Sequence, residues 1–154
     1  ETTPALVDID NDGDLEIFVV SDIRLYAWHH DGSYVQGWLK IMGQYTNSTS
    51  SPAIGDIDGD GELEIVITCD HPTFSSITSK LYVFNYDGSY VSGFPITMLY
   101  TIFMGSEIVD LDGDGDLEIG VPTQYGDIFD RSPGYIYFWD LESEYHPERL
   151  IWPR

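Results

Sequence analysis

The chain has few basic residues, a single cysteine and no long hydrophobic run. Lys and Arg together number 6, against 27 Asp and Glu, which gives a formal net charge of -21. A chain without a basic stripe cannot neutralise phosphates, so we expect no nucleic-acid partner. Cys69 has no cysteine to pair with, which excludes an internal disulfide, and we expect its side chain to be buried. No apolar stretch approaches the length of a membrane-spanning helix.

The composition is nevertheless that of a folded domain. Hydrophobic residues make up 42% of the 154 residues and aromatic residues 14%, which is enough to bury a core and excludes a disordered acidic tail. The acidic residues are concentrated, because three nine-residue stretches hold 15 of the 27. A surface that is acidic only for solubility would scatter them, whereas a cation site needs them together.

Each acidic stretch alternates carboxylates with small or apolar residues. In residues 110–118 the carboxylates occupy positions 1, 3, 5, 7 and 9, and a glycine at position 6 permits a sharp turn. Residues 8–16 and 56–64 repeat the pattern. Calcium takes about six to eight oxygen ligands in a flexible geometry, whereas magnesium prefers a stiffer octahedron and keeps more water. The sequence therefore predicts three Ca2+ sites.

The three stretches belong to a larger repeat. Their first aspartates, at positions 8, 56 and 110, are separated by 48 and 54 residues. An apolar, β-branched run typical of a strand follows each stretch. A second apolar run comes next, and in the first two units an Asp-Gly turn, at residues 31–32 and 87–88, leads into a further strand. No segment shows convincing helical periodicity.

Four short antiparallel strands that recur at about 50 residues are typical of propeller blades. We therefore predict an all-β chain of three four-stranded antiparallel blades, which form a single unit over residues 1–154. The blades would span about residues 1–42, 43–97 and 98–154.

These repeats resemble the FG-GAP/VCBS class of integrin-α-like β-propeller repeats. The resemblance rests on residues 56–65, on Pro-Ala at 52–53 ahead of them, and on Asp-Gly-Ser at 87–89 and Gly-Phe-Pro at 93–95 behind them. It implies that each acidic loop joins the first two strands of a blade. It also implies that calcium is held by side chains at positions 1, 3, 5 and 9 and by the backbone carbonyl at position 7. The implied ligands are Asp8, Asp10, Asp12, Asp14 and Glu16; Asp56, Asp58, Asp60, Glu62 and Glu64; and Asp110, Asp112, Asp114, Asp116 and Glu118.

Three blades leave a propeller unclosed, because such rings usually have about four to eight blades. Two sheet faces at the ends would then lie bare. The chain could be a fragment of a larger propeller, it could pair with a second copy as a six-bladed ring, or it could stack head to tail into a filament. The sequence leaves all three arrangements open.

The expected function is that of a non-enzymatic, calcium-stabilised module for adhesion, assembly, or recognition of a glycan or a protein. We expect it to be secreted or at the cell surface, because loops of this kind often bind calcium weakly and fill where calcium is abundant. One alternative is part of a calcium-dependent polysaccharide lyase, although few Lys and Arg are available to meet an acidic sugar. Another is a structural subunit of an extracellular filament.

Other residues carry weaker signals. The long connections at residues 70–80 and 122–134 are candidate ligand-binding loops. Asn47 begins an Asn-Ser-Thr sequon and is a possible glycosylation site. The adjacent His29 and His30 align with an asparagine and a tyrosine in the second unit, so we interpret them as exposed surface beside a turn.

Overall fold

The computed structural model describes residues 2–42, 50–72, 77–100, 102, 105–113, 117–123 and 135–141. Within these ranges the chain is entirely β, with eleven strands in three antiparallel sheets. The predicted all-β class and the antiparallel pairing are confirmed. The described residues contain no helix, and hence none that is long and apolar enough to cross a membrane.

Each sheet is a meander in which consecutive strands are neighbours. The first sheet consists of β1 (Ala5–Val7), β2 (Glu16–Ser21), β3 (Arg24–Trp28) and β4 (Lys40–Ile41). The second consists of β5 (Ala53–Gly55), β6 (Glu64–Pro72), β7 (Ile77–Phe84) and β8 (Ile96–Leu99). The third consists of β9 (Glu107–Val109), β10 (Leu117–Thr123) and β11 (Tyr135–Leu141). The fourth strand predicted for the third unit would fall after residue 141, outside the described residues.

The fourth strand of the first two sheets begins later than the sequence predicted. The Asp-Gly turns are present, with positive φ at Gly32 and Gly88, but the residues after them form only single bridges, Trp28 with Tyr34 and Phe84 with Tyr90. In the first sheet the chain then turns again, with a bond from the Trp38 amide to the Val35 carbonyl. This second turn directs an aromatic side chain into the core before pairing resumes in β4.

The three sheets pack face to face in chain order, which creates two hydrophobic cores. The first core lies between the first and second sheets, where Phe18 and Leu25 meet Ile65. The second core lies between the second and third sheets, where Val66 meets Ile119. Consecutive residues of β6 therefore face opposite cores. Because the second sheet is covered on both sides, β6 has buried apolar side chains at consecutive positions from Ile65 to Ile67 rather than at alternate ones.

Cys69 lies in the first core and is buried, as predicted. Its Sγ is 3.7 Å from Sδ of Met42. Burial, with a smaller contribution from the neighbouring Asp70 carboxylate, raises the pKa of the Cys69 thiol to about 12. The thiol therefore stays protonated and packs as a small apolar group.

Trp38 joins the first two sheets. Its ring packs edge-on against Phe18 of the first sheet at 4.8 Å and lies 6.0 Å from the ring of Phe84 of the second. Its indole N–H donates to the Tyr86 carbonyl at 3.1 Å. The Lys40 ammonium lies 5.5 Å from the centre of the same ring, within the range of a cation–π contact. A single side chain thus provides apolar contact and a hydrogen bond across this interface.

Replacing Trp38 with alanine should therefore destabilise the protein far more than replacing its neighbour Leu39. Trp38 is 1% exposed and Leu39 is 59% exposed. We expect Trp38→Ala to lower the free energy of unfolding by about 3–5 kcal/mol. Leu39→Ala, the matched control, should change it by less than about 0.5 kcal/mol. Denaturant unfolding measures both, and equal effects would contradict the assigned packing.

Candidate metal centres

The three acidic loops occupy the same place in the three sheets. Each connects the first strand of its sheet to the second, as the resemblance implied. In each case the glutamate at position 9 pairs across the ladder with the last residue of the preceding strand: Glu16 with Val7, Glu64 with Gly55, and Glu118 with Val109. The loops therefore begin and end at fixed points of a β-ladder.

The glutamate at position 9 is buried in all three loops. Its Oε2 accepts a hydrogen bond from the backbone amide at position 2 of the same loop. The distances are 3.0 Å from Ile9 to Glu16, 2.9 Å from Ile57 to Glu64 and 2.6 Å from Leu111 to Glu118. All three loops are thus closed by the same hydrogen bond, from the amide at position 2 to the glutamate carboxylate at position 9.

The aspartate at position 1 accepts amide hydrogens from the middle of its own loop. Asp8 Oδ1 accepts from the Asp12 amide and its Oδ2 from the Gly13 amide, both at 3.0 Å. In the third loop, Asp110 Oδ1 accepts from the Gly113 amide at 2.7 Å. These bonds curl the backbone around the first carboxylate, which brings later acids towards it.

Position 4 of each loop has a left-handed backbone, which was not predicted from the sequence. Asn11, Gly59 and Gly113 have φ values of 58°, 71° and 82°. Position 6, which the sequence singled out, is also left-handed at Gly13 and Gly61. Glycine and asparagine are the residues that adopt this conformation most readily. The sequence feature that could have predicted the left-handed backbone is that position 4 is glycine or asparagine in all three loops.

Carboxylates converge within each loop. The ligand atoms of each of the following groups lie within 4.8 Å of one another: Asp8, Asp10 and Asp12; Asp10, Glu16 and His29; Asp56, Asp58 and Glu64; Asp110, Asp112 and Glu118. Calcium–oxygen distances are about 2.3–2.6 Å, so two ligands of one calcium ion lie no more than about 5 Å apart. The residues present therefore fit an oxygen-ligated cation, and each group could hold a metal ion.

The residues at positions 5 and 7 also hydrogen-bond to each other, and some predicted ligands fall outside the described residues. The side chains at position 5 accept bonds from position-7 amides, from Asp14 to Asp12 and from Glu62 to Asp60, both at 2.8 Å. The position-7 carbonyls remain predicted ligands. Asp114 and Asp116 of the third loop, and the sequon residue Asn47, lie outside the described residues.

Burial and mutual repulsion raise the pKa values of two carboxylates in the second loop. The pKa of Glu64 is raised to about 8, chiefly by burial and also by repulsion from Asp58, Asp60 and Asp56, while the hydrogen bond from the Ile57 amide opposes the rise. The pKa of Asp58 is also raised, chiefly by burial. Without a cation, the second loop favours a bound proton at neutral pH. A divalent cation would occupy the same oxygens and offset the repulsion.

Two histidines contact the first loop, although the sequence alignment predicted that they would only be exposed surface residues. His29 Nδ1 lies 3.1 Å from Glu16 Oε1, and His30 Nδ1 lies 3.3 Å from Asp14 Oδ2. The pairing of Ile17 with Trp28 at the end of β3 places His29, the next residue, close to Glu16 at the start of β2. This contact follows from the register between β2 and β3, which the local sequence pattern does not reveal. The first loop therefore has an imidazole beside its carboxylates.

Comparison with known families gives a match to the FG-GAP-like repeat over residues 5–67, which includes the first two acidic loops. Residues 5–67 are therefore FG-GAP-like repeat sequence. Among solved structures, the chain is similar to the crystal structure of the V. cholerae biofilm matrix protein Bap1, with 19% sequence identity and a TM-score of 0.42. The similarity covers 80% of this chain and 24% of that one, so the chain spans a minor part of that protein. A search of curated proteins gave no match.

The buried glutamate of an FG-GAP loop should stabilise the protein even without metal. In chelator, Glu64→Ala removes the acceptor of the buried Ile57 amide, and we expect a loss of about 1–3 kcal/mol in the free energy of unfolding. Glu64→Gln keeps an oxygen acceptor of similar shape and should lose much less. Denaturant unfolding measures both variants. If the two lose the same amount, the hydrogen bond is not what the glutamate contributes.

Proposed function

We propose that this chain is a non-enzymatic, calcium-stabilised, extracellular β-propeller module used for adhesion, assembly, or recognition of a glycan or a protein. One observation carries the calcium part of the proposal. All three described loops bury a glutamate against the position-2 amide and bring two aspartates within the reach of one cation. A geometry that recurs at three equivalent places is more consistent with three equal sites than with a general acidic surface.

Calcium would act structurally. The chain has a net charge of -21, and its acids are gathered in loops where their charges repel one another. A divalent cation in each loop would neutralise part of that charge and fix the connection between the first two strands of each sheet. Its free energy of binding would then add to the free energy of folding.

The propeller part of the proposal is supported by the meander topology and by the face-to-face packing of successive sheets. In this arrangement each sheet is one blade, with blades at about residues 1–42, 43–97 and 98–154. A three-blade unit needs further blades or further copies to cover its end faces. These faces could be covered in a homo-oligomer, in a filament, or by the remaining blades of a larger propeller.

The extracellular location is supported by the FG-GAP repeat and by the calcium concentration that loops of this kind often need. The non-enzymatic role is supported by the scarcity of basic residues, because only 6 Lys and Arg are available to meet an acidic sugar. A polysaccharide lyase is the competing function. Release of unsaturated, ultraviolet-absorbing products from pectic polymers by the purified chain would establish that function instead.

Removing calcium should lower the melting temperature substantially. Thermal unfolding followed by circular dichroism in millimolar calcium, in excess chelator, and in chelator followed by restored calcium measures the effect and its reversibility. We expect the rise in melting temperature to grow with free calcium concentration, as linkage requires, and magnesium to produce a smaller rise. A melting temperature that is the same in all three conditions would refute the proposed role.

Asp112→Ala should remove the third site alone. Asp112 belongs to the carboxylate group of the third loop and to none of the groups in the other two loops. We expect isothermal titration to show the calcium stoichiometry fall from three ions per chain to two, one for each intact loop. Glu107→Gln is the matched control, because it also removes one negative charge near the third loop, from the exposed edge of β9. Loss of a site in the control would point to net charge rather than ligation.

A further inference from the structure

The first sheet has an apolar face that points away from the second sheet. This first outer face consists of Leu6, Ile17, Val19, Tyr26 and Trp28, which alternate along their strands with the residues of the first core. Leu6 is 50% exposed and the other four are half-buried. The rings of Tyr26 and Trp28 are stacked, with centroids 5.3 Å apart. No described residue of another sheet belongs to this face.

The third sheet has a second apolar face, which points away from the second sheet on the other side. This third outer face consists of Gly120, Pro122, Ile136 and Phe138. Ile136 is 63% exposed and Phe138 is 50% exposed. Phe138 lies over Gly120, where an added Cβ would be 3.1 Å from its ring. The glycine thus leaves a shallow, ring-lined surface.

The first outer face has the same residue pattern as faces that the chain already buries. Its five positions align with Ile54, Ile65, Ile67, Tyr82 and Phe84 of the second sheet. All five of those residues are buried, and they pack on the first sheet. The stacked aromatic pair recurs as well, as Tyr82 with Phe84 at 6.0 Å and as Tyr137 with Trp139 at 5.9 Å. In the second and third sheets this face is covered by the preceding sheet.

The third outer face corresponds to the opposite side of the same interface. Its positions align with Val66, Thr68, Leu81 and Val83 of the second sheet. Three of these, Val66, Leu81 and Val83, pack on the third sheet in the second core. They also align with Phe18, Val20, Leu25 and Ala27, by which the first sheet receives the second. The two outer faces are therefore the two complementary halves of an interface that occurs twice within the chain.

We propose that a second copy of this chain docks its first outer face onto the third outer face, in the way that the second and third sheets dock onto the sheets before them. The inference rests on the blade arrangement of the proposed function, and it adds the partner, the two surfaces and their polarity. The contact is heterologous, because different surfaces meet. It extends to a ring where the rotation closes and to a filament where it does not.

Two exposed residues allow each face to be disrupted without removing a core side chain. Leu6→Lys places a charge on the first outer face, and Ile136→Lys places one on the third outer face. Leu99→Lys is the matched control, because Leu99 is equally exposed but lies on β8 of the internal second sheet. Circular dichroism and the calcium-dependent melting temperature of each variant establish that the fold and the metal sites are retained.

Light scattering in millimolar calcium, at chain concentrations from about 1 to 100 μM, measures the mass of each protein. The wild type and Leu99→Lys should associate, and the two face variants should each remain monomeric. Mixing Leu6→Lys with Ile136→Lys should give a 1:1 dimer that grows no further, since one intact interface forms and both free ends are blocked. We expect a dissociation constant for the mixed dimer at least tenfold below that of either variant with itself.

Two results would overturn this inference. A wild type that stays monomeric across the concentration range would show that other chain, rather than a second copy, covers these faces. Face variants that each still dimerise alone would show an isologous contact elsewhere. Neither result depends on calcium binding, which the melting temperature reports separately, so loss of the docking surface and loss of the calcium role are distinguishable.

Discussion

The structure depends on a buried carboxylate at the end of each acidic loop. A glutamate in this position is costly to bury, because burial favours its neutral form. The chain offsets that cost with a backbone amide from the start of the same loop, and it adds further acids that call for a cation. The same glutamate therefore pairs in the β-ladder through its backbone, and its carboxylate closes the loop and is available to the proposed metal. The glutamate accordingly lies at or next to the first residue of the second strand in each sheet.

The sheets depend on one another in a comparable way. Both faces of each sheet have hydrophobic side chains, so no single sheet can bury its apolar surface alone. Packing in chain order covers both faces of the second sheet and one face of each outer sheet. The residue types at these interfaces recur with the sequence repeats, and the stacked aromatic pair is present in all three sheets.

Local pattern in the sequence predicted much of this structure. The spacing of the acids and the β-branched runs are local patterns, and each is repeated three times along the chain. Together they predicted three antiparallel sheets in which an acidic loop joins the first two strands. What the sequence did not predict depends on distant partners or on backbone angles. The contact of His29 with Glu16 follows from strand register, and the late start of β4 follows from the insertion of Trp38 into the core. The left-handed backbone at Asn11 was visible only as a restricted choice of residue.

Stacking in chain order also determines how the molecule comes apart. Within one chain, the described core residues of each sheet pack only on the sheets next to it in sequence. The stability of the protein is then approximately a sum of nearest-neighbour terms, as in a one-dimensional Ising chain. The second sheet has two such terms and each outer sheet has one. The ends should therefore fray before the centre, and amide protons of β6 and β7 should exchange most slowly with solvent. The cooperativity of unfolding would therefore depend on the number of interfaces between sheets and not on the size of any single sheet.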